Sequence, residues 1–246
     1  MRELLEPIKA DSLRDVFVSR FEELILSGKL SIGQKLPSER ELALRLGVSR
    51  PVVHEGLTVL SSRGLIRMKP RVGAIVNDFR KYGSPEILNS LFNYYKGNLD
   101  LDILGSILSM RILFEVETAR LAAMNRTEGH LKEFRDILKR ERDIEKTDID
   151  ALTAIDFEFH HLITMATENV IYPLLLNSMK RIYTNLTRQF FATPIVVPRT
   201  FGYHEELVLA IGASDAKKAV RIMKKLLRHG ERQFILMIKE RKQEIL

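Results

Sequence analysis

The sequence predicts a mainly α-helical protein: a short helical head closed by one small β-hairpin, then an all-α antiparallel helical bundle. Three observations carry this expectation. Apolar residues recur at helical spacing from Glu86 onward, with no convincing strand among them. Two extended pieces, Leu65–Lys69 and Ala74–Asn77, flank the turn Pro70-Arg71-Val72-Gly73. Gly83, Ser84 and Pro85 mark a change of pattern between head and bundle. The expected organisation is therefore residues 1–77 as head, 78–85 as linker and 86–246 as helical body.

The elements follow in order. Ser12, with Asp15 three residues on, caps a helix over 12–27, whose apolar stripe is Val16, Phe17, Phe21, Leu24 and Ile25 and whose end is Gly28. Residues 29–35 read as a loop. Ser38, with Glu41 at the third position, starts a short helix that stops near Gly47. Ser49 caps the next one, with Pro51 in its first turn, and Gly64 ends it. In the body, helices are expected at about 86–96, 101–125, 128–145, 149–168, 170–192, 199–213 and 215–242.

Composition narrows the function. The chain has 246 residues, 45% of them hydrophobic, which supports a packed core. It has no cysteine, which excludes disulfides, thiolate metal sites and cysteine nucleophiles. No run approaches the roughly 20 apolar residues of a membrane span, and the first residues lack a signal-like apolar run. A cytoplasmic protein without a membrane partner is expected. Net charge is +7, concentrated at the ends: residues 217–246 hold 10 basic side chains against 3 acidic, and residues 34–77 hold 8 against 3. Such surfaces suit a polyanion, although a solvated basic face is the plainer alternative.

Two helices joined at Gly47-Val48 form a helix-turn-helix candidate, and the hairpin behind them adds a wing. The second helix of such a unit enters the major groove, while the wing rests on the backbone or the neighbouring minor groove. The run Gly33-Gln34-Lys35-Leu36-Pro37-Ser38-Glu39-Arg40-Glu41-Leu42-Ala43, then Leu46-Gly47-Val48-Ser49-Arg50, Val53-His54-Glu55-Gly56-Leu57, Leu60 and Gly64-Leu65-Ile66, resembles the winged helix-turn-helix of GntR-type regulators. The resemblance implies DNA contacts from Ser38, Arg40, Ser49, Arg50, His54, Lys69 and Arg71. His54 stands where the family usually has arginine, and Arg71 where it often has glycine. The plainer alternative for Arg40 and Arg50 is solvation, or an ion pair with Glu39 or Glu41.

In the body, Asp156 and His160 are four residues apart within the stripe Leu152, Ile155, Phe159, Leu162, Ile163 and Ala166. Such a pair is either a satisfied core pair or two ligands of one divalent metal. His161 is expected to pack or face solvent, and His130 to lie at the surface. Arg111 sits on a helix apolar on most faces and needs a partner, either Glu115 one turn on or the carboxylate of an effector. The order Arg111-x-x-x-Glu115, Ala119, Ala122-Ala123, Asp156-x-x-Phe159-His160, Asn169, His204-x-x-Leu207, Ala210-Ile211 and Asp215 resembles the helical C-terminal (FCD-like) domain of the FadR-type branch. The resemblance implies a homodimer that binds double-stranded operator DNA, most often as a repressor, and responds to a small-molecule effector. Many such domains hold a metal (Zn, Ni or Mn) on one aspartate and three histidines. Asp156, His160 and His204 match three of these; the fourth position is Leu226, with His229 three residues later as a substitute if the helix is shifted. Metal-free, acyl-CoA-responsive members are the alternative. No nucleophile elbow, phosphate loop or further general base accompanies the cluster, so no catalytic residue is expected, and a metal-dependent hydrolase on Asp156, His160 and His204 is the remaining enzymatic alternative.

Overall fold

A computed structural model describes residues 12–94 and 101–244, without the side chains of 89, 92, 93, 101, 102 and 238–244. The chain divides into two compact units, Met1–Lys96 and Gly97–Leu246. Among the described residues no helix is long and apolar enough to cross a membrane.

The first unit begins with α1 (Leu13–Leu26). Ser12 accepts the Asp15 N–H at 3.1 Å and donates to the Asp15 carboxylate at 2.7 Å, satisfying one orphan donor of the first turn. Phe17, Val18, Phe21 and Ile25 are buried, while Val16, expected in the stripe, is 50% exposed. Helices α2 (Glu39–Leu46) and α3 (Arg50–Ser62) meet at Gly47, whose φ of 65° is the left-handed turn that glycine adopts without strain. Helix α3 presses against α1 at Gly56, where a Cβ would stand 2.3 Å from the Phe17 ring. Strands β1 (Ile66–Lys69) and β2 (Gly73–Val76) pair antiparallel, Ile66 opposite Val76 and Lys69 opposite Gly73. The segment expected as a loop is tied to this hairpin: Gly33 N–H donates to Val76 and Leu36 N–H to Ala74, each at 2.9 Å.

The boundary expected at residues 78–85 moves. Helices α4 (Phe79–Tyr82) and α5 (Ile87–Tyr94) belong to the first unit. Ser84 N–H donates to Arg63 at 3.1 Å, and Ile87 is buried with Phe17, Leu57 and Leu60. The reason lies in Glu22, a carboxylate only 5% exposed on α1. A buried charge must be paired, and Arg63 together with the Ser90 hydroxyl (2.7 Å) supply the partners. Gly83 and Pro85 thus turn the chain from α4 to α5 within the head.

The second unit is a helical bundle: α6 (Leu101–Asn125), α7 (Glu128–Asp143), α8 (Ile149–Met165), α9 (Ile171–Ser178), α10 (Lys180–Phe191), a 3-10 turn at Pro194–Val196, α11 (Val197–Gly212) and α12 (Ala216–Glu244). Its core sets small residues of α6 (Ala119, Ala122 and Ala123, all fully buried) among Phe134 of α7, Phe159 of α8, Leu207 of α11 and Met223 of α12. The helix expected over 170–192 breaks at Met179 (φ −98°, ψ 2°), where no sequence breaker stands. His130, expected at the surface, is half-buried and caps α7. Thr127 accepts its N–H at 3.3 Å, and His130 Nδ1 accepts the Thr127 N–H at 3.1 Å. Among the residues of α12, apolar Ile238 lies outside the described side chains.

Candidate functional site

The head presents its polar groups outward. Helix α3 buries Val53, Gly56, Leu57 and Leu60, which leaves Arg50, His54 and Thr58, each one turn apart, exposed. Glu41 is taken by Arg45 at 2.5 Å and Glu39 by His54 at 2.9 Å. Arg40 and Arg50 have no ion pair among the described residues, so the ion-pair alternative does not hold for them. Ser38 caps α2 by accepting the Glu41 N–H at 3.3 Å. Ser49 occupies the cap position of α3 but makes no side-chain cap bond, contrary to expectation, and its hydroxyl is exposed. Lys69 and Arg71 are exposed on the wing. Arg71 has φ 63°, the left-handed conformation of a turn with proline before it, which explains a preference for glycine there.

In the second unit, α8 places Asp156 and His160 one above the other, and α11 brings His204 to them. One ligand atom from each lies within 4.8 Å of the others, and all three residues are buried. His204 is fully buried, stacked on Phe159 with ring centroids 3.8 Å apart. Its Nδ1 lies 2.6 Å from Oε1 of Glu141 on α7. Its Nε2 has no hydrogen-bond partner among the described residues and stands 3.7 Å from Asp156 Oδ1.

Around this cluster runs a chain of buried polar groups. Arg111 Nε donates to Glu115 at 2.6 Å, and Arg111 Nη2 to the Tyr183 hydroxyl at 3.1 Å. The Tyr183 hydroxyl donates to Asp156 Oδ2 at 3.0 Å. His160 Nδ1 contacts the second oxygen of Glu115. The Arg111 guanidinium also lies over the Tyr183 ring, 4.4 Å from its centroid. Burial pushes the Glu115 carboxyl up, but the Arg111 guanidinium and the His160 ring outweigh it and hold it down at about 2. Burial pulls the His160 ring down, yet Glu115 more than compensates and its pKa is raised. Burial, then the Asp156 charge, drives the Tyr183 hydroxyl well above its ordinary range, so it serves as a donor.

The set fits a divalent cation. Three buried carboxyl groups gather here, Glu115 on the Arg111 guanidinium, Glu141 on His204 and Asp156 between Tyr183 and His204. His204 Nε2, without a hydrogen-bond partner among the described residues, stands toward an aspartate oxygen. Both imidazoles turn Nδ1 to a carboxylate, the arrangement that leaves Nε2 for a metal. Beside the cluster opens a narrow cleft. Arg111, Asp156, His160, Thr187 and Thr200 form its polar wall; Leu108, Phe190, Leu226 and Phe234 are among its apolar residues. Leu226 thus lines the cleft. His229 does not join the cluster; it packs against Phe190 and Tyr203, at centroid distances of 5.8 and 6.1 Å. His161 stacks on Phe157 at 5.9 Å, as a packing residue should.

Sequence reasoning missed Glu141 and Tyr183. A signal for Glu141 existed: it continues the buried series Phe134, Ile137 of α7 at helical spacing, a carboxylate where an apolar residue is expected. Tyr183 likewise lies on the buried face of α10 with Leu186 and Phe190.

A winged helix-turn-helix with unpaired arginines on its outer face, followed in the same chain by a helical bundle with a buried polar cleft, defines a DNA-binding transcription regulator. The chain belongs to the gntR family of bacterial regulatory proteins, matched over residues 15–76, and carries an FCD domain, matched over residues 106–229. It is 30% identical over 221 residues to the HTH-type transcriptional regulator Mce2R of Mycobacterium tuberculosis, covering 88% of this chain and 90% of that protein. It is 27% identical over 187 residues to the fatty acid metabolism regulator protein of Yersinia pestis, covering 76% of each. The solved structure of Lar, which controls the agr system of Listeria monocytogenes, shares the fold, with a TM-score of 0.62 at 16% identity over 92% of this chain and 98% of that one. These relatives are transcription regulators, not enzymes.

Proposed function

We propose that the protein is a cytoplasmic, homodimeric repressor whose operator binding is modulated by a small carboxylate held in the cleft of the helical domain. The observation that carries this reading is the placement of Arg111 on the wall of the same cleft as Asp156 and His160. A guanidinium there meets an anionic ligand in a surrounding of low dielectric, where a charge-assisted hydrogen bond is strong. Thr187 and Thr200 add hydroxyls to that wall, and Leu226 with Phe234 supports the apolar part of the ligand. Asp156, His160 and His204 are the residues that would hold a divalent metal, which when bound offers the ligand's carboxylate an electrophilic coordination position. Glu141 fixes the His204 ring by accepting a hydrogen bond from its Nδ1–H, and Tyr183 orients Asp156 by donating to its other oxygen. DNA contact falls to Ser38, Arg40, Ser49, Arg50, His54, Lys69 and Arg71, all on the head and, apart from the capping Ser38, not committed to its helix caps.

Dimer formation is supported by the physics of DNA reading: one small head spans too few base pairs to be selective, and a pseudo-palindromic operator needs two. A second reading, acyl-CoA response without metal, is favoured by Leu226 on the cleft wall and by the likeness to the Yersinia fatty acid regulator. The experiment that tests both is mass spectrometry of the ligand co-purifying with the protein, together with metal analysis of the same sample. A small carboxylate with near-stoichiometric metal supports the first reading. A thioester in metal-free protein supports the second and overturns the first.

A further inference from the structure

One polar pair links α2 and α3 on the outer face of the head. Glu39, the first residue of α2, reaches His54 on α3, with Oε1 2.9 Å from Nδ1. The imidazole side chain is 66% exposed and the carboxylate 27%. Arg50 stands one turn before His54 on the same exposed face, and Thr58 one turn after turns its hydroxyl back to the His54 carbonyl at 2.8 Å.

Hydrogen-bond polarity follows from these positions. A carboxylate only accepts, and a neutral imidazole has a single N–H, so the bond to Glu39 places that proton on Nδ1. Nε2, on the far side of the ring, is then an acceptor. In the major groove an acceptor finds its partners in the exocyclic amines, N6 of adenine and N4 of cytosine; guanine O6 and N7 and the phosphates offer it only lone pairs. An arginine at this place would have the opposite polarity, being donor only.

We propose that Glu39 holds His54 as a hydrogen-bond acceptor that reads an exocyclic base amine in the major groove, next to the base contacted by Arg50. This rests on α3 being the reading helix of the head. Four helical residues advance about 6 Å, and base pairs stack about 3.4 Å apart, so the amine lies one or two base pairs from the Arg50 base.

The test is selection of binding sites by the full-length protein from randomised duplexes at pH 8, followed by affinity measurements on the selected operator. Adenine or cytosine is expected at one half-site position near the Arg50-dependent base. His54→Ala should flatten the preference at that position alone, at a cost of roughly tenfold in affinity. His54→Arg should turn it toward guanine, and Glu39→Gln should weaken it. Replacing the selected base by an analogue without the amine (purine for adenine, 2-pyrimidinone for cytosine) should cost the parent the same factor and His54→Ala nothing further. A selected operator with guanine or no preference there, or a preference that survives His54→Ala, overturns the proposal and leaves the reading helix in place. If no sequence is selected, or Arg50→Ala changes no position, the placement of α3 itself has failed and the proposal with it.

Discussion

Glu141 Oε1 lies 2.6 Å from Nδ1 of His204, a contact between α7 and α11 with both side chains buried. Its consequence is chemical. A neutral imidazole that donates Nδ1–H to this carboxylate turns its Nε2 lone pair toward Asp156. Carboxylate support of this kind orients a ligating ring and raises its basicity. Glu141→Ala is expected to lower divalent metal affinity about 10–100-fold, measured by competition with a chelator, while circular dichroism shows the helices retained. Unchanged affinity would mean that His204 is oriented by its stack on Phe159 alone.

Arg111 has two tasks, and two substitutions separate them. It neutralises buried Glu115 and lines the cleft. Arg111→Ala leaves a buried carboxylate without its main partner and should cost about 3–5 kcal/mol of stability. Arg111→Lys keeps the charge but not the planar fork, so a smaller loss is expected together with loss of effector-induced DNA release. Thermal unfolding and DNA binding with and without the co-purified effector read the two effects. A lysine variant with full effector response would remove the guanidinium from ligand binding.

Glu115 makes the helical domain acid-sensitive in a stated direction. Its folded pKa is held down at about 2, against 4.5 ordinarily. Between these values the unfolded chain binds the proton first, so stability rises with pH there. The contribution is complete above pH 4.5 and is lost as pH falls toward 2. The difference in unfolding midpoint between the parent and Glu115→Gln should therefore shrink as pH is lowered through this window. A constant difference would show that the carboxylate is not ionised in the folded protein.

The wing trades backbone comfort for charge. Arg71 sits at φ 63°, which costs a residue with a Cβ about 1–2 kcal/mol. Arg71→Gly should stabilise the head by about 1 kcal/mol while weakening binding to operator and random DNA alike, with a shallower salt dependence. Arg50→Ala should instead cost about 1–3 kcal/mol at the operator and relax base preference. If Arg71→Gly left the salt dependence unchanged, the wing arginine would not reach a phosphate.

The amino-acid sequence by itself determined the local elements and the chemistry they carry. The Ser12 and Ser38 caps, the turn at Gly47 and the Pro70–Gly73 hairpin act over three or four residues, where backbone hydrogen bonds are settled by neighbours. The i, i+4 spacing put Asp156 above His160, and family pattern added His204. Tertiary structure decided which distant groups complete the site. Glu141 meets His204 across 63 residues and Tyr183 meets Asp156 across 27. It also drew α4 and α5 into the head, because buried Glu22 needed Arg63 and Ser90, and it turned His229 toward Phe190 instead of the cluster. A buried ionisable group demands a partner, but periodicity shows only that it is buried; the packing of helices chooses the partner.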